Sequence, residues 1–107
     1  MKSQRTITLK DSPQGALQRS ARALQLAGHQ KIETNAAAMM VSSFKWKRSM
    51  GQNPSLQRNG ISITLVPVDE AVEATILATD GTAQANLLIG SSLAERAVDE
   101  VVGFLTA

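Results

Sequence analysis

Between Arg5 and Lys10 the apolar residues Ile7 and Leu9 alternate with Thr6, Thr8 and Lys10, the period of a strand with one buried face. Asp11-Ser12-Pro13 then reads as a helix start. A serine can cap the free N–H groups of a first turn, and a proline at the first helical position sacrifices no hydrogen bond. Leu17, Ala21, Leu24 and Gly28 recur at helical spacing, with Gln14, Gln18, Arg22 and Gln25 off that face. Gly28 suits a left-handed stop, so a helix is expected from Pro13 to Ala27. The stretch from Lys31 to Lys47 is ambiguous. Ala36 to Met40 has helical propensity, while Val41 to Lys47 alternates, with Ala38, Met40, Ser42, Phe44 and Trp46 on one parity. One long strand is expected here, with a short helix over 34–40 as the alternative.

From Arg48 to Gly60 the chain holds turn formers, namely Gly51, Asn53-Pro54 and Asn59-Gly60. Ile61 to Val68 alternates as a strand, Asp69-Glu70 forms a turn, and Val72 to Thr79 returns as an antiparallel partner. Asp80-Gly81 is a second hairpin signal, and Thr82 to Ile89 is expected as a shorter fifth strand. After Gly90, Ser92 and Glu95 have capping-box spacing, and Ala94, Ala97, Val98, Val101, Val102 and Leu105 form an apolar stripe. The expected fold is therefore α+β, a single domain over residues 1–107. It has an antiparallel sheet of four to five strands and two helices on one face, in the order β-α-β-β-β-(β)-α.

That pattern leaves a surplus of apolar residues. If Ile61, Ile63 and Leu65 face the helices, then Val66, Val68 and Leu77 need another home, as do Met39 and Val41, whose parity is opposite to Met40 and Phe44. A one-sided sheet should be polar on its free face. Met39, Val41, Val66, Val68 and Leu77 are thus expected to form an apolar interface, with a second copy of the chain as partner. The alternative places Val66 and Val68 at a bulge or strand end beside Pro67, buried in the ordinary way.

Composition narrows the classes. The chain has 107 residues, 43% apolar and 19% charged, a globular balance. There is no cysteine, hence no disulfide, thiolate nucleophile or sulfur-bound metal. No apolar run approaches a membrane span or a secretory leader, so a cytoplasmic protein is expected.

Candidate chemistry is sparse. His29, the single histidine, follows Gly28 at the end of the first helix and reads as structural. Asp69-Glu70 and Asp99-Glu100 are sequence neighbours that point apart, unlike a working acid/base pair. Gly90-Ser91-Ser92 could offer N–H groups to an anion, but Glu95 competes for the same potential. Lys45, Trp46, Lys47, Arg48 and Arg58 make the one basic cluster, a candidate contact for nucleic acid or another anion. A net charge of +2 and one tryptophan are a thin footprint for that role, so nucleic acid is not the expected partner. No cofactor, metal or catalytic residue is expected. The chain reads as a non-enzymatic binding domain that self-associates. The alternatives are a carrier of a small apolar ligand, with Ala36 to Met40 lining the space between sheet and helices, and a weak nucleic-acid-binding module using Lys45 to Arg48.

The segment Phe44-Lys45-Trp46-Lys47-Arg48-Ser49-Met50-Gly51, followed by the Ile61–Leu65 strand and a C-terminal helix, resembles a group of small, uncharacterised bacterial domains. In them a Ser-Phe/Trp-Lys-Ser-Trp-Gly-like turn joins the second and third strands. The resemblance implies a fold like half of a TATA-binding protein, a curved sheet carrying two helices. It spans residues 5–105 by order of elements, although its specific part is confined to this turn. Gln52 to Asn59 lengthen the turn, and Met50 stands where the group has its second Trp. The resemblance carries no catalytic residue across.

Overall fold

The computed structural model describes residues 2–46, 58–80 and 90–106. Seven elements follow in order: β1 (Lys2–Leu9), α1 (Pro13–Leu26), β2 (Gln30–Asn35), β3 (Met40–Trp46), β4 (Arg58–Val68), β5 (Ala71–Asp80) and α2 (Gly90–Thr106). The five strands form one antiparallel sheet in the order β1-β5-β4-β3-β2. The first strand closes against the last, so each remaining neighbour is a hairpin partner. α1 lies across β2, β3 and β4, α2 lies across β1, β5 and β4, and the helices touch each other. Both therefore cover the same face, as the two amphipathic patterns require.

The capping signals act as written at α1. Ser12 Oγ accepts from the Gly15 N–H at 3.0 Å, with Pro13 at the first helical position. At the other end the His29 N–H donates to the Leu24 carbonyl and the Gly28 N–H to that of Gln25, both at 3.0 Å, with Gly28 at φ 84°. This is the paired-bond stop that a left-handed glycine permits. α2 begins at Gly90, two residues earlier than the Ser92 cap anticipated from the capping-box spacing, so Ser92 lies in its first turn.

Residues 31–46 are neither one strand nor a helix over 34–40. They form a β2–β3 hairpin, with Asn35 opposite Met40 and Thr34 opposite Val41. The turn contains no glycine or proline. Asn35 Oδ1 accepts from the Ala38 N–H at 3.0 Å, and Met39 takes the left-handed conformation at φ 52°. The Met39 carbonyl then accepts from the Leu65 N–H at 2.9 Å, which locks the turn onto β4. The fifth strand comes from this split. Residues 82–89, where the sequence pattern suggested it, lie outside the described residues.

The core sits between sheet and helices. Val41, Ile63 and Ile76 stand in one row across β3, β4 and β5. All three are fully buried against Leu24 of α1 and Val98, Val101 and Leu105 of α2. Val41 thus belongs to the core and not to an exposed interface, and Met39, half-buried in the turn, packs on the same core. The physical reason is register: β3 pairs with β4 so that Val41 meets Ile63, and this sends Met40 and Phe44 to the opposite face.

Two charged side chains tie the helices down. Arg5 of β1 forms an ion pair with Asp99 of α2. Arg19 of α1 donates to the Leu105 carbonyl near the end of α2, where intrahelical partners run out, and lies 3.6 Å from the Asp11 carboxylate. Arg19→Ala is expected to lower stability by about 1–2 kcal/mol, since a charged donor to an otherwise orphaned carbonyl is lost while the ion pair itself is half-exposed. Urea denaturation with an unchanged m-value is the check. A loss below about 0.3 kcal/mol would assign the α1–α2 contact to apolar packing alone.

Candidate functional site

The helices leave one face of the sheet uncovered. Strand parity places Gln4, Thr6 and Thr8 of β1 on it, then Glu73, Thr75, Leu77 and Thr79 of β5. Gly60, Ser62, Thr64, Val66 and Val68 of β4 and Met40, Ser42 and Phe44 of β3 complete its centre. Among the described side chains of these four strands, Glu73 is the one charge on this face. The centre is paved with small hydroxyls, such as Thr6 and Thr75, whose Oγ1 atoms lie 3.2 Å apart across the β1–β5 pair.

Among the described side chains, the apolar residues on this face are Met40, Phe44, Val66, Val68 and Leu77. Phe44 and Leu77 are half-buried by their neighbours, whereas Val66 and Val68 are 50% and 46% exposed. Gly60 explains the posture of Phe44. A Cβ on that glycine would lie 3.7 Å from Phe44 Cε1 and 3.1 Å from Thr79 Oγ1, so the ring spreads over bare backbone. A shallow depression of about 180 Å³ opens between Phe44, Gly60, Ser62, Leu77 and Thr79. Val66 and Val68 flank Pro67 where β4 has run past β3, whose last pair with it is Met40–Thr64. Pro67 is tolerated there because no strand needs its missing N–H. The alternative of ordinary burial for these valines does not hold.

Of the five residues expected to form the apolar interface, Val66, Val68 and Leu77 stand on the uncovered face. Met39 and Val41 do not, and Met40 and Phe44 take their place. The alternation of 38–46, read alone, favours burying the bulkier Met40 and Phe44.

Of the basic cluster, Lys45, Trp46 and Arg58 hold strand positions at one end of the β3–β4 ladder. Lys45 pairs with Asn59 and Trp46 with Arg58 in the β3–β4 ladder, while Lys47 and Arg48 lie outside the described residues. At the opposite end the tip of the β4–β5 hairpin carries Asp69 at φ 55° and Glu70. An open groove of about 820 Å³ separates this tip from Lys10 to Pro13. Ala36 to Ala38 are exposed turn residues and line no space between sheet and helices.

His29 and Ser43 are brought together, which the sequence did not foreshadow. His29 Nδ1 and Ser43 Oγ lie 3.0 Å apart, 7% and 3% exposed, at the junction of α1, β2 and β3. A hydroxyl beside an imidazole is nucleophile–base geometry. Here both groups are roofed by the end of α1, and the bond joins helix to sheet. Among the described residues no group of three or more His, Asp or Glu side chains could hold a metal ion, and no helix is long and apolar enough to cross a membrane.

No protein-family model matches the sequence. No curated protein matches it either. Among solved structures, the crystal structure of Ara h 8.0201 is similar with a TM-score of 0.62 at 9% identity, over 99% of this chain and 92% of that one. DynU16, a protein from the dynemicin biosynthetic locus, gives a TM-score of 0.53 at 9% identity, and the match spans 97% of this chain but 45% of DynU16. A conserved protein from Geobacillus kaustophilus gives 0.49 at 11% identity, over 98% and 92% of the two chains. The first two likenesses show the fold that this chain shares: one antiparallel sheet gripping helices on a single face.

Proposed function

We propose that this chain is a cytoplasmic, non-enzymatic binding domain that self-associates through the uncovered face of its sheet. The carrying observation is the composition of that face. An antiparallel sheet that meets water on one side ordinarily presents alternating charges there. This one presents Phe44, Leu77, Met40, Val66 and Val68 among Ser and Thr, with Glu73 as the single described charge on β1, β3, β4 and β5. Such a surface loses little on dehydration and can bury its apolar groups against a like face.

The size is adequate. Five strands about 4.8 Å apart and seven residues at about 3.3 Å each give a face of roughly 550 Å² per copy, to which β2 adds Glu33, opposite Ser42, as a second described charge. Two such faces together reach roughly 1,100 Å², the lower bound of a specific interface. Two sheets stacked with strands aligned are a common solution to this burial problem. The alternative, a carrier of a small apolar ligand, cannot draw on an Ala36–Met40 lining, because Ala36 to Ala38 are exposed, but the fold shared with Ara h 8.0201 supports it. The finer likeness to half of a TATA-binding protein is supported by the element order and the one-sided helices.

Light scattering should return about twice the 11.4 kDa chain mass. Leu77→Lys places a charge at the centre of the face and should weaken the dimer at least about tenfold, an effect near 1.4 kcal/mol, with the fold intact by circular dichroism. A wild-type chain that stays monomeric at high concentration would overturn the proposal.

A further inference from the structure

Arg19, Arg22, Ala23 and Leu26 recur along α1 at the spacing that puts them on one helical face. With Phe104 of α2 they line a groove of about 280 Å³ between the two helices, on the side of the domain away from the bare sheet face. Leu24 and Ala27 of the α1 end and Val101 and Leu105 of α2 are buried, yet Leu26 is 53% and Phe104 40% exposed. The core therefore leaves these two large apolar side chains in water, one on each bank of the groove. The charge lining it is of one sign. α1 contains no Asp or Glu, so Arg22 has no carboxylate one turn away, and it makes no hydrogen bond or ion pair among the described residues. Arg19 is already committed, donating to the Leu105 carbonyl and lying 3.6 Å from the Asp11 carboxylate. Arg19 thus fixes a wall of the groove, and Arg22 is the cation left for an incoming anion.

Size and charge choose the occupant. At about 280 Å³ the groove lies just under the roughly 300 Å³ at which small-molecule pockets begin. That is room for a ring or a short branched chain, not for a helix. A bilayer or an acidic protein would also have to lie along α2, whose exposed surface in the turn before Phe104 carries Asp99 and Glu100. Like charges there repel an extended anionic partner, while a small anion stays within the groove, which neither carboxylate lines. We propose that the groove binds a small carboxylate bearing one apolar group, an aromatic or branched aliphatic acid. The apolar group sits between Leu26 and Phe104, and the carboxylate accepts paired N–H bonds from the planar Arg22 guanidinium. The site is on the helical side of the domain, so it does not depend on self-association through the sheet.

Benzoate and benzyl alcohol share a ring and differ in charge, which makes them matched probes. In NMR titrations of the full chain at neutral pH, benzoate should saturate shifts at Ala23, Leu26 and Phe104 with a Kd of about 1 mM, the affinity of a fragment. Benzyl alcohol should bind there about tenfold more weakly, because it cannot form the charge-assisted pair. Arg22→Gln should reduce benzoate to the level of benzyl alcohol and leave the alcohol unchanged, whereas Leu26→Ala should weaken both. Arg22 and Leu26 are exposed, so both variants should keep the fold, which the same spectra report. Benzoate that binds no tighter than benzyl alcohol, ignores Arg22→Gln or shifts residues elsewhere overturns the proposal. Inorganic phosphate that matches benzoate at these signals also overturns it, by reducing the groove to a bare charge contact. Pelleting of the chain with phosphatidylglycerol vesicles, lost in Leu26→Ala, would give the groove to a bilayer instead. Shifts at Leu26 and Phe104 that follow protein concentration without any probe would give it to a second copy.

Discussion

Val41→Asp is expected to unfold the domain, while Met40→Asp, one residue away, leaves it folded. Val41 is 0% exposed and stands between Ile63 and the helices, whereas Met40 projects from the other side of β3. Replacing the valine forfeits about 1.5–3 kcal/mol of apolar burial. It also leaves a carboxylate among aliphatic side chains, which costs several kcal/mol more whether it stays charged or takes up a proton. The sum rivals the roughly 5–15 kcal/mol that holds a domain of this kind together. Met40→Asp exchanges a partly solvated side chain for a solvated one, within about 1 kcal/mol. Far-ultraviolet circular dichroism and the dispersion of methyl NMR signals separate the outcomes. If Val41→Asp folds and Met40→Asp does not, the parity of β3 is inverted, and with it the identity of the uncovered face.

That pair of residues marks where the sequence stopped being informative. The helices were legible because local chemistry decides them. Ser12-Pro13 opens α1, Gly28 closes it, and the stripe from Ala97 to Leu105 has one reading. The β4–β5 hairpin was legible because Ile61, Ile63 and Leu65 alternate up to an Asp-Glu turn. The β2–β3 hairpin was not, because its turn rests on an Asn35 side-chain bond and a left-handed Met39, neither of which a propensity scale assigns to Asn-Ala-Ala-Ala-Met. The face chosen by β3 was hidden for a different reason. Met40, Phe44 and Trp46 outweigh Val41 and Ser43 in apolar bulk, so pattern alone favours burying the former. Pairing with β4 puts Val41 beside Ile63 instead, and Met40 and Phe44 are displaced to the uncovered surface. The misassigned parity and the apolar face are therefore one fact seen twice: local hydrophobicity lost to register, and the residues that lost are those the dimer would bury.

A second large effect is expected at His29 and Ser43. The two buried groups lie 3.0 Å apart where α1 turns into β2 and passes over β3. His29→Leu keeps the backbone bond from residue 29 to the Leu24 carbonyl but strands the Ser43 hydroxyl in an apolar setting, a loss of about 1–3 kcal/mol. Ser43→Val strands the imidazole nitrogen in the same way, at similar cost. The double variant removes both polar groups at once and should be less destabilised than the two singles combined, with a coupling of about 1–2 kcal/mol in a double-mutant cycle measured by urea denaturation. Additivity within about 0.3 kcal/mol would mean that the bond contributes nothing. The outcome bears on function as well as stability. If the pair is worth its full coupling, it fixes how the end of α1 sits on β3, and β3 is the strand that carries Met40 and Phe44 to the uncovered face. Loosening His29 from Ser43 should then weaken self-association without touching any residue on that face, an effect that sedimentation of the refolded His29→Leu chain would detect.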